Sequence, residues 1–225
     1  MIDKIKDMIG VGKDLDDKII LLDPSLTGPK EPDLRIVGLF ADVNDEKVAD
    51  IIHNVLFYNE MNLQSKPEEQ KPIKFYISTY GGNADDMFAL FDVMRHIRDH
   101  TEIHTIGLGK VMSAGVLILA AGTKGKRKIG KNCRVMIHSV MGGNHGSLHN
   151  MMNEMEAIEQ LQDLYCDALI SETKLTRVKL KNMLERKVNV YLSAEEAVEL
   201  GIADEIIWGF IDERLFERYV YWGAW

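Results

Sequence analysis

The stretch from Thr105 to Arg127, TIGLGKVMSAGVLILAAGTKGKR, restricts the possible folds more than any other part of this chain. It is entered through β-prone residues (Ile103, Thr105, Ile106), passes a glycine-containing turn and reaches Ser113. From there the pattern predicts a helix that runs to Ala121 and stops at Gly122. That helix is apolar on every side, and such a helix belongs inside a domain. Ser113 at its first turn is oddly polar for these surroundings. One reading is an N-cap, because Ser is among the best residues for satisfying the free N–H groups there. The other is a nucleophile, with its alkoxide and oxyanion at the positive end of the helix.

The rest of the chain repeats this strand-then-helix grammar. Leu34 to Phe40 reads as a strand, followed by a helix from about Asp45 to Glu60 with Val48, Ile51, Ile52, Val55 and Leu56 at helical spacing. Pro72 to Ser78 alternates as a strand and ends in Gly81-Gly82, after which Asp85-Asp86 open a helix to His100. Beyond the Ser113 helix come a strand from Cys133 to His138, three glycines, and the longest helix, Leu148 to Glu172. Its Met151, Met155, Ile158, Leu161, Tyr165, Ala168 and Leu169 make a wide apolar face, a pattern that more often packs a core than lines a cofactor site. A helix from Thr176 to Arg186 leads through Asn189 to Tyr191-Leu-Ser-Ala-Glu-Glu-Ala, where Ser193 and Glu196 are spaced as a capping box. Ile202 to Ile207 is a last short strand. Alternation of this kind predicts an α/β fold with right-handed crossovers.

The chain divides into three regions: an N-terminal arm (1–34) broken by Pro24, Gly28, Pro29 and Pro32, one domain (35–207), and a C-terminal extension (208–225). The extension carries all 3 tryptophans of the chain, which argues that it docks on a surface, because exposed aromatics aggregate. A net charge of −8 with scattered signs argues against nucleic acid, which needs a basic stripe. The longest apolar run, Val116 to Ala121, is far too short for a bilayer. The first residues mix acids and bases throughout and lack the apolar core of a signal peptide. Cys133 and Cys166 make no disulfide framework, so an intracellular, cytoplasmic protein is expected. No metal or other cofactor is called for.

Ser113, His138 and Asn189 each terminate an otherwise apolar element. Alone, each has a bland reading: cap, rim residue, turn residue. Together they weigh more, since a nucleophilic Ser needs a base and the base needs an acceptor to orient it. Gly81-Gly82 adds backbone that approaches closely and can aim an N–H at a developing oxyanion.

At these residues the chain resembles the proteolytic subunits of Clp proteases, the ClpP family. Thr105 to Arg127 with Ser113, then Cys133-Arg-Val-Met-Ile-His138, then Tyr191 to Asp204 carry the resemblance, in register from about Arg35 to Ile207. Ser78-Thr-Tyr-Gly-Gly82 corresponds, with changes, to that family's Asn-Ser-Pro-Gly-Gly loop. The resemblance implies a ClpP/crotonase-like α/β fold of repeated β-β-α and βαβ units with a protruding handle helix. It implies a serine endopeptidase with Ser113 as nucleophile, His138 as general base and Asn189 at the third position. The N–H groups of Gly81 and Ala114 are then the oxyanion hole, and Gly82-Asn83 with Met141–Gly143 clasp the substrate as an added strand. Heptameric rings stacked in pairs, as a homo-oligomer or with sister subunits, are implied, as are an AAA+ unfoldase partner and polypeptide substrates.

The departures bear on rate. Asn189 stands where the family usually has the triad Asp; an amide oxygen can hold the ring but not stabilise the imidazolium with a full charge. Such a change can cost on the order of 10⁴ in turnover. Tyr80 replaces a Pro, Ala114 a Met, and Ser139-Val140 a Gln-Pro. The alternative reading is a catalytically weak structural or regulatory ring subunit, against which the retained Ser and His both count. A crotonase-type acyl-CoA enzyme shares the fold, but no basic loop to anchor a nucleotide is visible.

Overall fold

The computed structural model describes residues 34–143, 145–185 and 189–208, which belong, apart from Leu34, to a single unit that begins at Arg35. The expected N-terminal arm up to residue 33 and the extension after Trp208 lie outside the described residues.

β1 (Ile36–Leu39) is half-buried, alternating exposed and buried side chains. α1 (Asp45–Leu63) starts where the Asn44 side chain accepts from the Lys47 N–H, and Asp45 and Glu46 sit at its positive end. It buries Val48, Ile51 and Val55 and continues three residues past its expected end at Glu60. β2 (Ile73–Thr79) leads to α2 (Ala84–Ile97), capped by the Asn83 side chain, which accepts from the N–H groups of Asp85 and Asp86. β3 (Ile103–Met112) runs into α3 (Ala114–Ala120), whose seven residues are all buried, as an all-apolar helix requires. Then come β4 (Lys128–Gly130), β5 (Arg134–Ile137), α4 (Leu148–Glu172), α5 (Arg177–Glu185), β6 (Val190–Leu192), α6 (Ala194–Glu199) and β7 (Glu205–Ile207). The Ser193–Glu196 capping box forms as its spacing predicts.

The sheet has 7 strands in the order β1-β2-β3-β4-β7, with β5 also on β3 and β6 on β5. Every pair is parallel except β5 with β6. β3 changes partners along its length: Ile106 and Gly107 pair with β4, whereas Lys110 to Met112 pair with β5. Between them Gly109 adopts φ +65°, which only glycine tolerates freely, and the β2–β3 register shifts. This fork delivers the C-terminal ends of β2, β3 and β5 side by side, and those ends carry Gly81, Ser113 and His138. Crevices outside the carboxyl ends of parallel strands are where α/β sheets bind ligands.

α3 packs on β3, α2 and α4. Only the last third of α4 joins the core, through Tyr165, Ala168, Leu169 and Glu172. Its first half keeps Leu148, Met151, Met152 and Met155 exposed, so much of the apolar face is left open in the single chain. Glu172 is 1% exposed and receives Arg98 at 2.9 Å and Lys124 at 2.8 Å. Arg127 donates to the Glu172 carbonyl at 2.8 Å and pairs with Asp204 at 2.5 Å, joining the end of α4 to the start of β7. Burial alone raises the carboxyls of Glu172 and Asp204, but hydrogen bonds from Arg98 and Lys124, and from Arg127, hold both below the ordinary carboxylate range. No helix of the described residues is long and apolar enough to cross a membrane.

Candidate active site

Ser113 joins the end of β3 to α3 with φ +53° and ψ −124°, the only positive φ outside glycine among the described residues. A β-carbon is strained there, and such backbone persists only where the surroundings impose it. Three contacts do so. The Ser113 N–H donates to the Met136 carbonyl at 2.8 Å, its carbonyl accepts from Val116 at 3.0 Å, and Tyr165 Oη donates to the same carbonyl at 3.3 Å. Its side chain makes no capping hydrogen bond, so the N-cap reading of Ser113 does not hold. Instead Oγ lies 2.8 Å from His138 Nε2.

The other ring nitrogen, Nδ1, lies 2.6 Å from the Ser139 carbonyl oxygen. A carbonyl can only accept, so Nδ1 carries the proton and Nε2 presents its lone pair to the Ser113 hydroxyl. That is the tautomer a general base requires. The Ser139–Val140 peptide is held from its far side, where the Val140 N–H donates to Gln162 Oε1 at 2.6 Å. Beside the pair is a cavity of about 470 Å³, with Met87, Ile158, Leu161 and Tyr165 along its walls and Tyr80, Asn83 and Met141 at its exposed edges.

Gly81, at φ +105°, passes so close that a Cβ there would lie 2.6 Å from Ser113 Cβ. Its carbonyl accepts from Val43 at 2.8 Å, and its N–H donates to Thr79 Oγ1 at 3.0 Å.

Residues 32–209 match the Clp protease family. The ATP-dependent Clp protease proteolytic subunit 1 of Prochlorococcus marinus subsp. pastoris is 32% identical over 173 residues, spanning 77% of this chain and 83% of that protein. The chain belongs to the Clp protease family.

Against the pattern expected of a Clp protease, the structure brings Ser113, His138, Gly81, Gly82 and Ala114 into one crevice, with Asn83, Met141 and Gly142 on its rim. Asn189 is placed differently. Extending the β5–β6 register by one step past Ile137↔Val190 sets residue 189 across from His138. Yet the Asn189 side chain is exposed and forms no hydrogen bond to the ring, whose Nδ1 is taken by the Ser139 carbonyl. Of the expected oxyanion donors, Ala114 opens α3, where an N–H has no partner within the helix. The Gly81 N–H is already engaged by Thr79, while that of the next residue, Gly82, has no acceptor among the described residues.

Tyr165 and Gln162 contact the backbone beside Ser113 and His138, and the sequence singles out neither for the site. In the sequence Tyr165 is one apolar position of a helix stripe, though a buried Tyr generally needs a partner for its hydroxyl, and that need is the available signal. Gln162 adjoins the same stripe and carries none.

Proposed function

We propose that this Clp-family peptidase is a serine endopeptidase in which Ser113 is the nucleophile and His138 the general base. The observation that carries the reading is the 2.8 Å contact between Ser113 Oγ and His138 Nε2. It is made by a serine held in strained backbone and free of any capping bond. In the proposed step the Oγ proton passes to Nε2 as Oγ attacks the scissile carbonyl carbon. The new C–O bond forms while the carbonyl π pair moves onto oxygen. Return of that pair breaks the scissile C–N bond as His138 gives the proton to the leaving amine. A water, deprotonated by His138, then attacks the acyl carbon and releases Ser113 Oγ, which takes the proton back. The Ala114 N–H at the start of α3 and an N–H of the Gly81-Gly82 turn stabilise the oxyanion. Gly82-Asn83 and Met141–Gly143 flank the substrate backbone as an added strand, and the exposed face of α4 serves ring assembly. The relative's name, a proteolytic subunit of an ATP-dependent protease, supports a role in ATP-dependent proteolysis. In that role the chain forms a peptidase chamber for unfolded polypeptides fed by an AAA+ ATPase in the cytoplasm.

A fluorophosphonate probe tests the chemistry. The assembled protein is expected to label at Ser113 and to cleave short fluorogenic peptides without ATP, and Ser113→Ala to do neither. An assembled wild type that neither labels nor cleaves would leave a structural ring subunit as the better reading.

A further inference from the structure

The side chain that orients the catalytic histidine of a serine peptidase is ordinarily an acid, and among the described residues no acid bonds to it: Nδ1 of His138 meets the neutral carbonyl of Ser139 at 2.6 Å. We propose that Gln162 on α4 is the positioning residue for His138, acting through the Ser139–Val140 peptide. This role rests on the serine-peptidase reading of Ser113 and His138.

The contacts form one chain. Ser113 Oγ–H donates to His138 Nε2 at 2.8 Å, and His138 Nδ1–H donates to the Ser139 carbonyl. The N–H of that same peptide unit, on Val140, donates to Gln162 Oε1 at 2.6 Å. Gln162 Nε2 then donates to Cys166 Sγ at 3.3 Å, one turn further along α4. The assignment of the amide follows from chemistry, since a backbone N–H can only donate and must face the oxygen. Because a peptide is planar, gripping its N–H fixes the direction of its carbonyl. Gln162 thus aims the Ser139 oxygen at Nδ1 without touching the ring. The glycine after the loop is seated on the same helix: a Cβ on Gly142 would lie 2.4 Å from Ile158 Cδ1, so the 139–142 segment follows α4 closely. When Nε2 takes the Ser113 proton, the Nδ1 proton stays in place, and the aligned peptide and amide dipoles face the new positive charge. The arrangement needs an N–H at residue 140, which Val140 has and a proline would lack.

The test compares Gln162→Leu, which removes the acceptor, with Gln162→Glu, which keeps an acceptor for the Val140 N–H. Gln162→Leu is expected to lower kcat about ten- to a hundredfold with KM within about twofold, short of the ~10⁴ that a wrong histidine tautomer costs. Gln162→Glu is expected to keep most of kcat. Selective ¹⁵N-histidine NMR gives a readout that needs no turnover. His138 should be the Nδ1–H tautomer in the wild type and a tautomer mixture in Gln162→Leu, with ring mass unchanged. A Gln162→Leu protein with wild-type kcat and wild-type tautomer overturns the proposal. So does an Asn189→Ala variant that loses as much activity as Gln162→Leu. If the wild type does not react with a fluorophosphonate at all, the peptidase reading falls, and the tautomer comparison still decides whether Gln162 orients the ring.

Discussion

The backbone at Ser113 makes a prediction that is independent of any activity. At φ +53° and ψ −124° a residue with a Cβ is strained, and strain of this kind costs on the order of 1–3 kcal/mol. Ser113→Ala keeps the Cβ and therefore the strain. Ser113→Gly removes both. Against the relief stand two losses. Glycine is penalised by about 0.5–1 kcal/mol through the freedom of its unfolded chain. A half-buried methyl is worth roughly half of the ~0.8 kcal/mol of a fully buried one. With a mid-range strain of about 2 kcal/mol, glycine comes out ahead of alanine by about 1 kcal/mol. Both variants lack the hydroxyl, so the lost hydrogen bond to His138 cancels between them. At an ordinary interior position the order is reversed, and the sign alone is decisive.

For a domain of this size the difference corresponds to roughly 2–4 °C in Tm, with the glycine variant melting higher. The comparison must be made at equal protein concentration, because self-association shifts apparent stability. Calorimetry with a matched urea titration supplies it. An alanine variant that melts at or above the glycine variant would show that Ser113 is not held in strained backbone, and only the contact with His138 would then mark it as a nucleophile.

Three further outcomes are expected. Gly82→Ala places a Cβ 2.1 Å from the Val43 carbonyl oxygen at φ +152°, so it should break the Val43 bridge and cost at least about 3 kcal/mol, read by chemical denaturation of the Ser113→Ala background. Glu172 and Asp204 titrate below the ordinary carboxylate range when folded, so as pH falls the unfolded chain takes up their protons first. The stability they contribute is complete above the ordinary carboxylate pKa and drains away as pH falls through it to the depressed native values; Glu172→Gln should flatten that acid limb in a pH-dependent melt. Met155→Glu puts a charge on the exposed face of α4 and should reduce the assembled mass by analytical ultracentrifugation with the secondary structure intact, whereas an unchanged mass would remove α4 from the assembly surface.

Strong periodic signals and side-chain caps are legible in the sequence. The Thr105–Arg127 pattern announces a buried helix after a strand, and that is where the chain changes from β3 to α3. The span of α4 and the Ser193 capping box follow from local chemistry alone. β4 does not, because Lys128-Ile-Gly130 is three residues with one buried side chain and is a strand only through main-chain pairing with β3 and β7. The apolar pattern starts the final strand at Ile202, but it begins at Glu205, since the main chain at Ile202 and Ala203 is still bonded to Ala197 at the start of a helix exit. The exposed Met face of α4 shows a different limit. Helical spacing reveals that a face is apolar, not whether the same chain covers it.

The histidine partner is hidden for a related reason. A triad acid is a side chain, so it leaves a letter in the sequence, and its replacement at Asn189 is visible as a departure. The acceptor that the structure presents to Nδ1 is a main-chain carbonyl, which every residue has and no letter marks. What makes the Ser139 carbonyl special is the orientation of one peptide plane, and that orientation is set by Gln162, 22 residues from Val140 along the chain. Replacing a charged acceptor by a neutral one keeps the tautomer but gives up the attraction between carboxylate and imidazolium. The two contributions are therefore separable in this protein: geometry is retained at 2.6 Å, charge is not. On the proposed serine-peptidase reading, such a site is expected to label with a fluorophosphonate slowly as well as to turn over peptides slowly, since both reactions develop the imidazolium charge with no counter-ion at Nδ1 among the described residues.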